Sequence, residues 1–170
     1  MVRSGHTLNA VTEFIDCHIQ AGRGNRIAIR YGDERITYQS VYENTNRVGN
    51  ALRALGVEPE NRVLLALLDS PEFVYAFWGA MKIGAVPVPV NTLMKPQDYT
   101  YFLNDSRAKV LIVSEALLPN VLSAHANHPN LRHILVLHFG ALMAQGSVEE
   151  IRNHPQVAEI YLGAEGEAAV

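Results

Sequence analysis

Cysteine is almost absent. Cys17 stands alone in 170 residues, so no internal disulfide can form, and a reducing, cytoplasmic setting is expected. A dominant charge of one sign is missing too. The formal net charge of −3 comes from interspersed acids and bases with no basic stripe, which argues against nucleic acid as a partner. No apolar run approaches the length of a membrane span, and residues 1–11 lack the apolar core of a secretory signal. Lysine is limited to Lys82, Lys95 and Lys109, none of them following a Gly/Ser/Thr-rich loop, so the spacing of a phosphate-gripping P-loop is not met. What is present is apolar. Hydrophobic residues make up 48% of the chain against 18% charged, enough for a sizeable core in one domain or slightly more.

The chain is organised around residues 61–91, NRVLLALLDSPEFVYAFWGAMKIGAVPVPVN. Residues 62–68 form a short, nearly unbroken apolar run, as expected of a strand covered on both faces. Asp69 and Ser70 supply N-cap chemistry, and Pro71 suits a first helical turn, where its missing N–H has no partner to lose. Phe73, Val74, Phe77, Trp78 and Met81 recur at helical spacing and predict one wide apolar face, with Gly84 just past the helix end. Val86, Val88 and Val90 alternate with Pro87 and Pro89, which places this second strand at an edge or a bend. The stretch is a βαβ unit, for which a right-handed crossover is nearly obligatory.

The flanking sequence fills in the layers. A first helix is predicted over residues 8–19, with Val11, Phe14, Ile15 and Ile19 inward and Cys17 serving as packing. Gly22-Arg23-Gly24 reads as a plain turn. Ile27, Ile29 and Tyr31, then Ile36 and Tyr38, alternate about Gly32-Asp33 as a two-residue β-hairpin. A second helix starts at Ser40, runs through Val41, Thr45, Val48, Leu52 and Leu55, and stops at Gly56. Pro96 opens another, with Tyr99, Phe102 and Leu103 on one face. Residues 110–113 form a buried strand, Ser114 caps the next helix, and Pro119 kinks or restarts it. His125, His128 and His133 crowd the segment HANHPNLRH, but no Cys, Asp or Glu adjoins them and Pro129 breaks their alignment; a solvated helix end is expected rather than a metal site. Residues 135–139 form a strand, Gly140 turns, and residues 142–145 return. Ser147 to Glu150 is a capping box for a short helix interrupted at His154-Pro155. Val157, Ile160, Tyr161 and Leu162 give a final apolar turn closed by Gly163, before a frayed 166–170 tail. The expected fold is α/β: an incomplete doubly wound, mostly parallel sheet with flanking helices and an N-terminal β-hairpin.

Three stretches carry a family resemblance: ITYQSV at 36–41, MKIGAVPVPVN at 81–91 and NDSRAKVLIV at 104–113. They resemble the N-terminal portion of the acyl-adenylate-forming ligases, over roughly residues 8–134, and within that family the wording of residues 69–119 is most similar to benzoate-CoA ligases. The resemblance implies a parent reaction in which a benzoate-like carboxylic acid is adenylated by ATP, with pyrophosphate leaving, and then passed to coenzyme A. That chemistry needs backbone N–H groups cradling phosphates, a magnesium-holding carboxylate and a cation near the developing charge. ATP, Mg and coenzyme A are implied for the full-length family. The family's phosphate loop, its ribose and magnesium carboxylates and its mobile lysine have no matching positions here, so no catalytic, cofactor-binding or metal-binding residue is assigned. Trp78 is expected in the core, Lys82 at the helix C-terminal dipole, and Asn91 turning the chain on its own side chain.

Residues 135–170 carry a second resemblance. VLHFGALMAQG followed by SVEEIRNHPQVAEIYLG is similar to the last hairpin and terminal helix of ATPase subunits of branched-chain-amino-acid-type ABC transporters. Neither His138 nor His154 matches that family's switch histidine. Two domains are therefore expected, 1–134 and 135–170, joined near residues 132–137 by a fused or internally deleted reading frame. A truncated ligase with a coincidental tail remains the simpler competitor, and a transporter-associated module a third reading. An incomplete sheet leaves an open edge, so self-association is the expected physical consequence.

Overall fold

The computed structural model describes residues 8–122 and 128–157. The expectations for His125, for the final apolar turn at Ile160, Tyr161, Leu162 and Gly163, and for the 166–170 tail lie outside those residues.

Two sheets are present. A hairpin joins β1 (Ile27–Tyr31) to β2 (Glu34–Thr37), with Tyr31 opposite Glu34 so that Gly32-Asp33 forms the two-residue loop; Gly32 takes φ +54°, left-handed backbone suited to glycine. The main sheet contains β3 (Arg62–Ala66), β4 (Val86–Pro89), β5 (Val110–Ser114), β6 (His133–His138) and β7 (Ala141–Gly146), in the order β4-β3-β5-β6-β7. The first four strands of that order are parallel, and β7 returns antiparallel to β6. The prolines of β4 lie at an edge, where missing N–H donors interrupt no inner ladder.

Helices cover both faces because the strands alternate apolar side chains to both. Leu64, Ala66, Leu111, Val113, Ile134 and Val136 pack on one side against Tyr99 and Leu103 of α4 (Pro96–Ser106), Leu118 and Val121 of α5 (Leu118–Leu122) and Ile151 of α6 (Val148–Arg152). Val63, Leu65, Leu67, Val110, Ile112 and Leu135 pack on the other against Leu52 of α2 (Tyr38–Ala54) and Ala76 and Ala80 of α3 (Pro71–Lys82). A third cluster of Val11, Ile15 and Val41 sits where a wide helical turn, Thr12–Asp16, runs into α1 (Cys17–Gln20) beside α2. Each fully buried Leu or Val contributes roughly 1.5–3 kcal/mol. This is the mostly parallel, helix-flanked α/β sheet with an N-terminal hairpin that the sequence predicts.

Several local expectations change. The helix at residues 71–82 does not bury its large residues most deeply. Pro71, Ala76, Gly79 and Ala80 are the buried ones, while Phe73 and Phe77 pack half-buried on the sheet side and Val74, Trp78 and Met81 on the third cluster. The reason is closeness: a Cβ on Gly79 would stand 2.8 Å from the Val48 side chain and 3.0 Å from the Thr45 carbonyl oxygen, so α2 and α3 touch through small residues. Phe14 is 62% exposed, its ring tilted toward Trp78 at 6.0 Å rather than turned inward. α2 starts at Tyr38, ahead of the predicted Ser40, and Thr37 caps it, its Oγ1 accepting from the Ser40 N–H at 3.2 Å. Ser70 occupies the N-cap of α3 without a side-chain bond. Ser114 does not cap with its side chain either; its hydroxyl accepts the Leu68 N–H at 3.0 Å, tying the end of β5 to the chain leaving β3. A 3-10 turn, Glu115–Leu117, intervenes before α5, which starts with Pro119 in its first turn. Gly56 and Gly84 stop their helices with φ +75° and +82°, as expected. The capping box forms, with Ser147 N–H donating to Glu150 Oε2 at 2.7 Å and Glu150 N–H to Ser147 Oγ at 3.3 Å.

Candidate functional site

In an open parallel sheet, ligands favour the crevice beyond the strand C-termini where the winding direction reverses. Here the chain passes from β3 outward to β4, then crosses back over β3 to β5, so the reversal lies between β3 and β5. A cleft of about 600 Å³ opens there, within the range of small-molecule sites. Its walls come from the C-terminal ends of three apolar strands: Leu67 and Leu68 after β3, Ser114 and Glu115 at the end of β5, His138 to Gly140 at the end of β6 and just beyond it. The first turn of α3 supplies Ser70, Pro71 and Glu72, and the hairpin supplies Tyr31 and Glu34.

Among the polar groups of the cleft are three carboxylates and one imidazole, His138. Glu34, Glu72 and Glu115 line it, and among the lining residues there is no lysine or arginine. His138 Nδ1 is hydrogen-bonded to Glu115 Oε2. Glu72 sits in the first turn of α3, where the helix dipole favours a carboxylate, and it presses on the β6–β7 turn; a Cβ on Gly140 would stand 2.6 Å from Glu72 Oε1. Gly140 also takes φ +84°, left-handed backbone that favours glycine in this turn. A second groove of about 450 Å³ shares Glu72, Leu137 and Gly140 with the first and runs between α2, α3 and the β6–β7 hairpin, with Arg47 among its lining residues. Tyr75 lines it, and burial, followed by the Glu72 charge, holds its hydroxyl above the usual pKa.

The residues singled out from sequence are scattered. Cys17 is half-buried and donates to the Glu13 carbonyl within its own helix. Trp78 packs edge-on to Phe77 at 5.3 Å and lies half-buried against the third cluster, at the margin of the core where burial within it was expected. Lys82 lies in the last turn of α3 as expected, but its ammonium is committed to Asp16 at 2.8 Å and lies 4.5 Å from the Tyr42 ring centroid. Asn91 Oδ1 accepts the Leu93 N–H at 2.8 Å, the side-chain turn that was predicted. His128 is 8% exposed, so it is a buried residue rather than part of a solvated helix end; its Nδ1 faces Asn104 Oδ1 at 3.3 Å, and Nε2 has no partner among the described residues. Burial, then the Arg152 charge, lowers its pKa. His133 stands apart at the start of β6, and among the described residues no group of three metal-ligating side chains converges. Sequence reading passed over the cleft carboxylates. Position marks only one of them: Glu115, like Ser114 and His138, follows a buried apolar run at the end of a parallel strand.

No helix of the described residues is long and apolar enough to cross a membrane.

Comparison with known proteins places the chain. The family model described as AMP-binding enzyme matches residues 18–164, running across the predicted boundary at 134/135, as does β6. The 4-hydroxybenzoate–CoA/benzoate–CoA ligase of Rhodopseudomonas palustris is 40% identical over 129 residues, 76% of this chain and 24% of that protein. The benzoate–CoA ligase of Thauera aromatica is 38% identical over 146 residues, 82% of this chain and 28% of that protein. Among solved structures, the anthranilate CoA ligase AuaEII in complex with anthranoyl-AMP superposes with a TM-score of 0.72 at 42% identity, covering 76% of this chain and 25% of that one. The chain thus spans about a quarter of the length of the relatives it matches. With the family model matching residues 18–164, most of its length, the chain belongs to the AMP-binding enzyme family.

Proposed function

We propose that this chain is the N-terminal region of an aromatic acid–CoA ligase and that, by itself, it does not adenylate its acid. The observation that carries the lineage is the 40% identity over 129 residues to a ligase named for benzoate and 4-hydroxybenzoate. One observation supports the lack of activity: the sequence contains no glycine- and hydroxyl-rich loop followed by lysine. In the parent reaction a carboxylate oxygen attacks the α-phosphorus of ATP as pyrophosphate departs, and coenzyme A thiol then displaces AMP from the acyl carbon. Negative charge develops on phosphate oxygens, so donors and cations must be aimed there in advance. This chain's part is to build the sheet and helices against which such machinery stands. A chimera tests the lineage: residues 18–134 replace the matching stretch of the Thauera aromatica benzoate–CoA ligase, and benzoyl-CoA is measured. Thioester formation by the chimera is expected; a folded, ATP-binding chimera making none contradicts the reading.

Residues 135–170 are proposed to derive from the end of an ABC transporter ATPase. An antiparallel β6–β7 hairpin followed by a capped short helix is the order that resemblance calls for. An uninterrupted ligase reading frame at the encoding locus, continuing past codon 134 as the Thauera enzyme does, contradicts it; transporter genes directly downstream support it.

A further inference from the structure

Residues 9–20 lie on the helices rather than in a sheet. Among the described residues this segment pairs with no strand, and within it only Val11 and Ile15 are buried, against Val41 of α2. Its front is tied to the last turn of α3. Asn9 Nδ2 donates to the carbonyl oxygens of Met81 and Lys82, at 3.2 Å each, giving partners to acceptors that a helix end leaves open. Lys82 Nζ reaches back to Asp16 Oδ1 at 2.8 Å, and both side chains are largely shielded from solvent. Its rear ends in a turn. Gly22 takes φ +67° with open space where a Cβ would stand, and the chain beyond it is fixed to the start of α2, the Gln39 N–H donating to the Gly24 carbonyl at 2.9 Å.

We propose that residues 9–20 are a strap that lifts from α2 and α3 as one unit, pivoting at Gly22 and clasped by Lys82 and Asn9, while the main sheet stays folded. The free energy of a local opening is set by what that opening breaks. Lifting the strap breaks one small apolar cluster and a clasp gathered at a single helix end. Unfolding the sheet breaks the two large clusters on its faces as well. The open strap uncovers the side of α3 formed by Val74, Trp78 and Met81. Trp78 is the only tryptophan in the chain, and its ring lies 6.0 Å from that of Phe14 on the strap, so its fluorescence reports the movement.

The test is amide exchange on the full chain in sub-denaturing urea, with acrylamide quenching of Trp78 alongside. Residues 12–20 are expected to exchange faster than residues 111–113 and with a weaker dependence on urea. Lys82→Met keeps the aliphatic stem and removes the ammonium, so it should speed exchange of the strap about tenfold and raise quenching. Asn9→Ala loosens the same clasp from the other side and decides the matter if Lys82→Met does not fold by far-UV circular dichroism. Ile134→Val, in the core of the sheet, separates the strap from global unfolding. It weakens the closed and lifted states alike, so it should speed exchange of residues 111–113 and leave the strap unchanged. Strap amides that accelerate with Ile134→Val, or that ignore loss of the clasp, overturn the proposal.

Discussion

His128 shows how a single residue can hold a liability that only three dimensions expose. It belongs to a polar, proline-broken segment, yet Leu131 behind it is also buried and the imidazole is shut in near Asn104 and Arg152. Burial disfavours the charged ring, and the Arg152 charge adds to that, so the folded pKa lies below the unfolded value of about 6.5. A depressed pKa means that the folded state binds fewer protons, and its stabilising contribution is whole above the unfolded pKa and is lost as pH falls through and below it. Thermal unfolding midpoints between about pH 8 and pH 5 should therefore drop more steeply for wild type than for His128→Gln. Equal slopes would show that His128 does not carry the acid sensitivity. Asn91, by contrast, was legible from sequence, because an Asx turn needs only its own chain two residues on. Lys82 was half legible: its place at the helix end is local, but Asp16 lies 66 positions away in sequence.

At the scale of elements, the punctuation of the sequence read well. Glycines at 32, 56 and 84 sit where left-handed backbone turns the hairpin or ends a helix, and the prolines of β4 stand at an edge. Periodicity marks each strand, but it cannot say which strands are neighbours; the order β4-β3-β5-β6-β7 follows from one crossover outward, β3 to β4, and two in the opposite direction, β4 to β5 and β5 to β6. Nor can periodicity distinguish a helix that buries aromatics from one that buries the small residues between them. In α3 the second happens, since Gly79 lies against Val48 and the Gly79 carbonyl would be 3.2 Å from a Cβ on Gly49. Gly79→Ala must push α2 and α3 apart or distort Val48, and overpacking of that kind costs about 1–3 kcal/mol. Urea denaturation should show that loss as a lower midpoint at constant slope. An unchanged midpoint would mean that the helix crossing absorbs a methyl group without strain.

Over the whole molecule, fold and chemistry separate. The layers are those of an AMP-binding enzyme, and ligases named for benzoate share two-fifths of its residues over the matched stretch. The crevice that such a sheet opens at its strand ends is here an acidic one, lined by Glu34, Glu72 and Glu115. The cleft was not legible in the sequence because Glu34, Glu72 and Glu115 belong to three separate elements, the hairpin, α3 and the 3-10 turn, which only the sheet's winding brings together. The central claim is that this chain carries the scaffold of a ligase without a nucleotide site of its own. Calorimetric titration of the purified chain with Mg-ATP, then with a benzoyl-adenylate analogue, tests it most directly. No binding heat and no thermal shift are predicted for either ligand. Saturable, stoichiometric heat with either would contradict the account, and would mean that residues assigned here to the scaffold bind the nucleotide themselves.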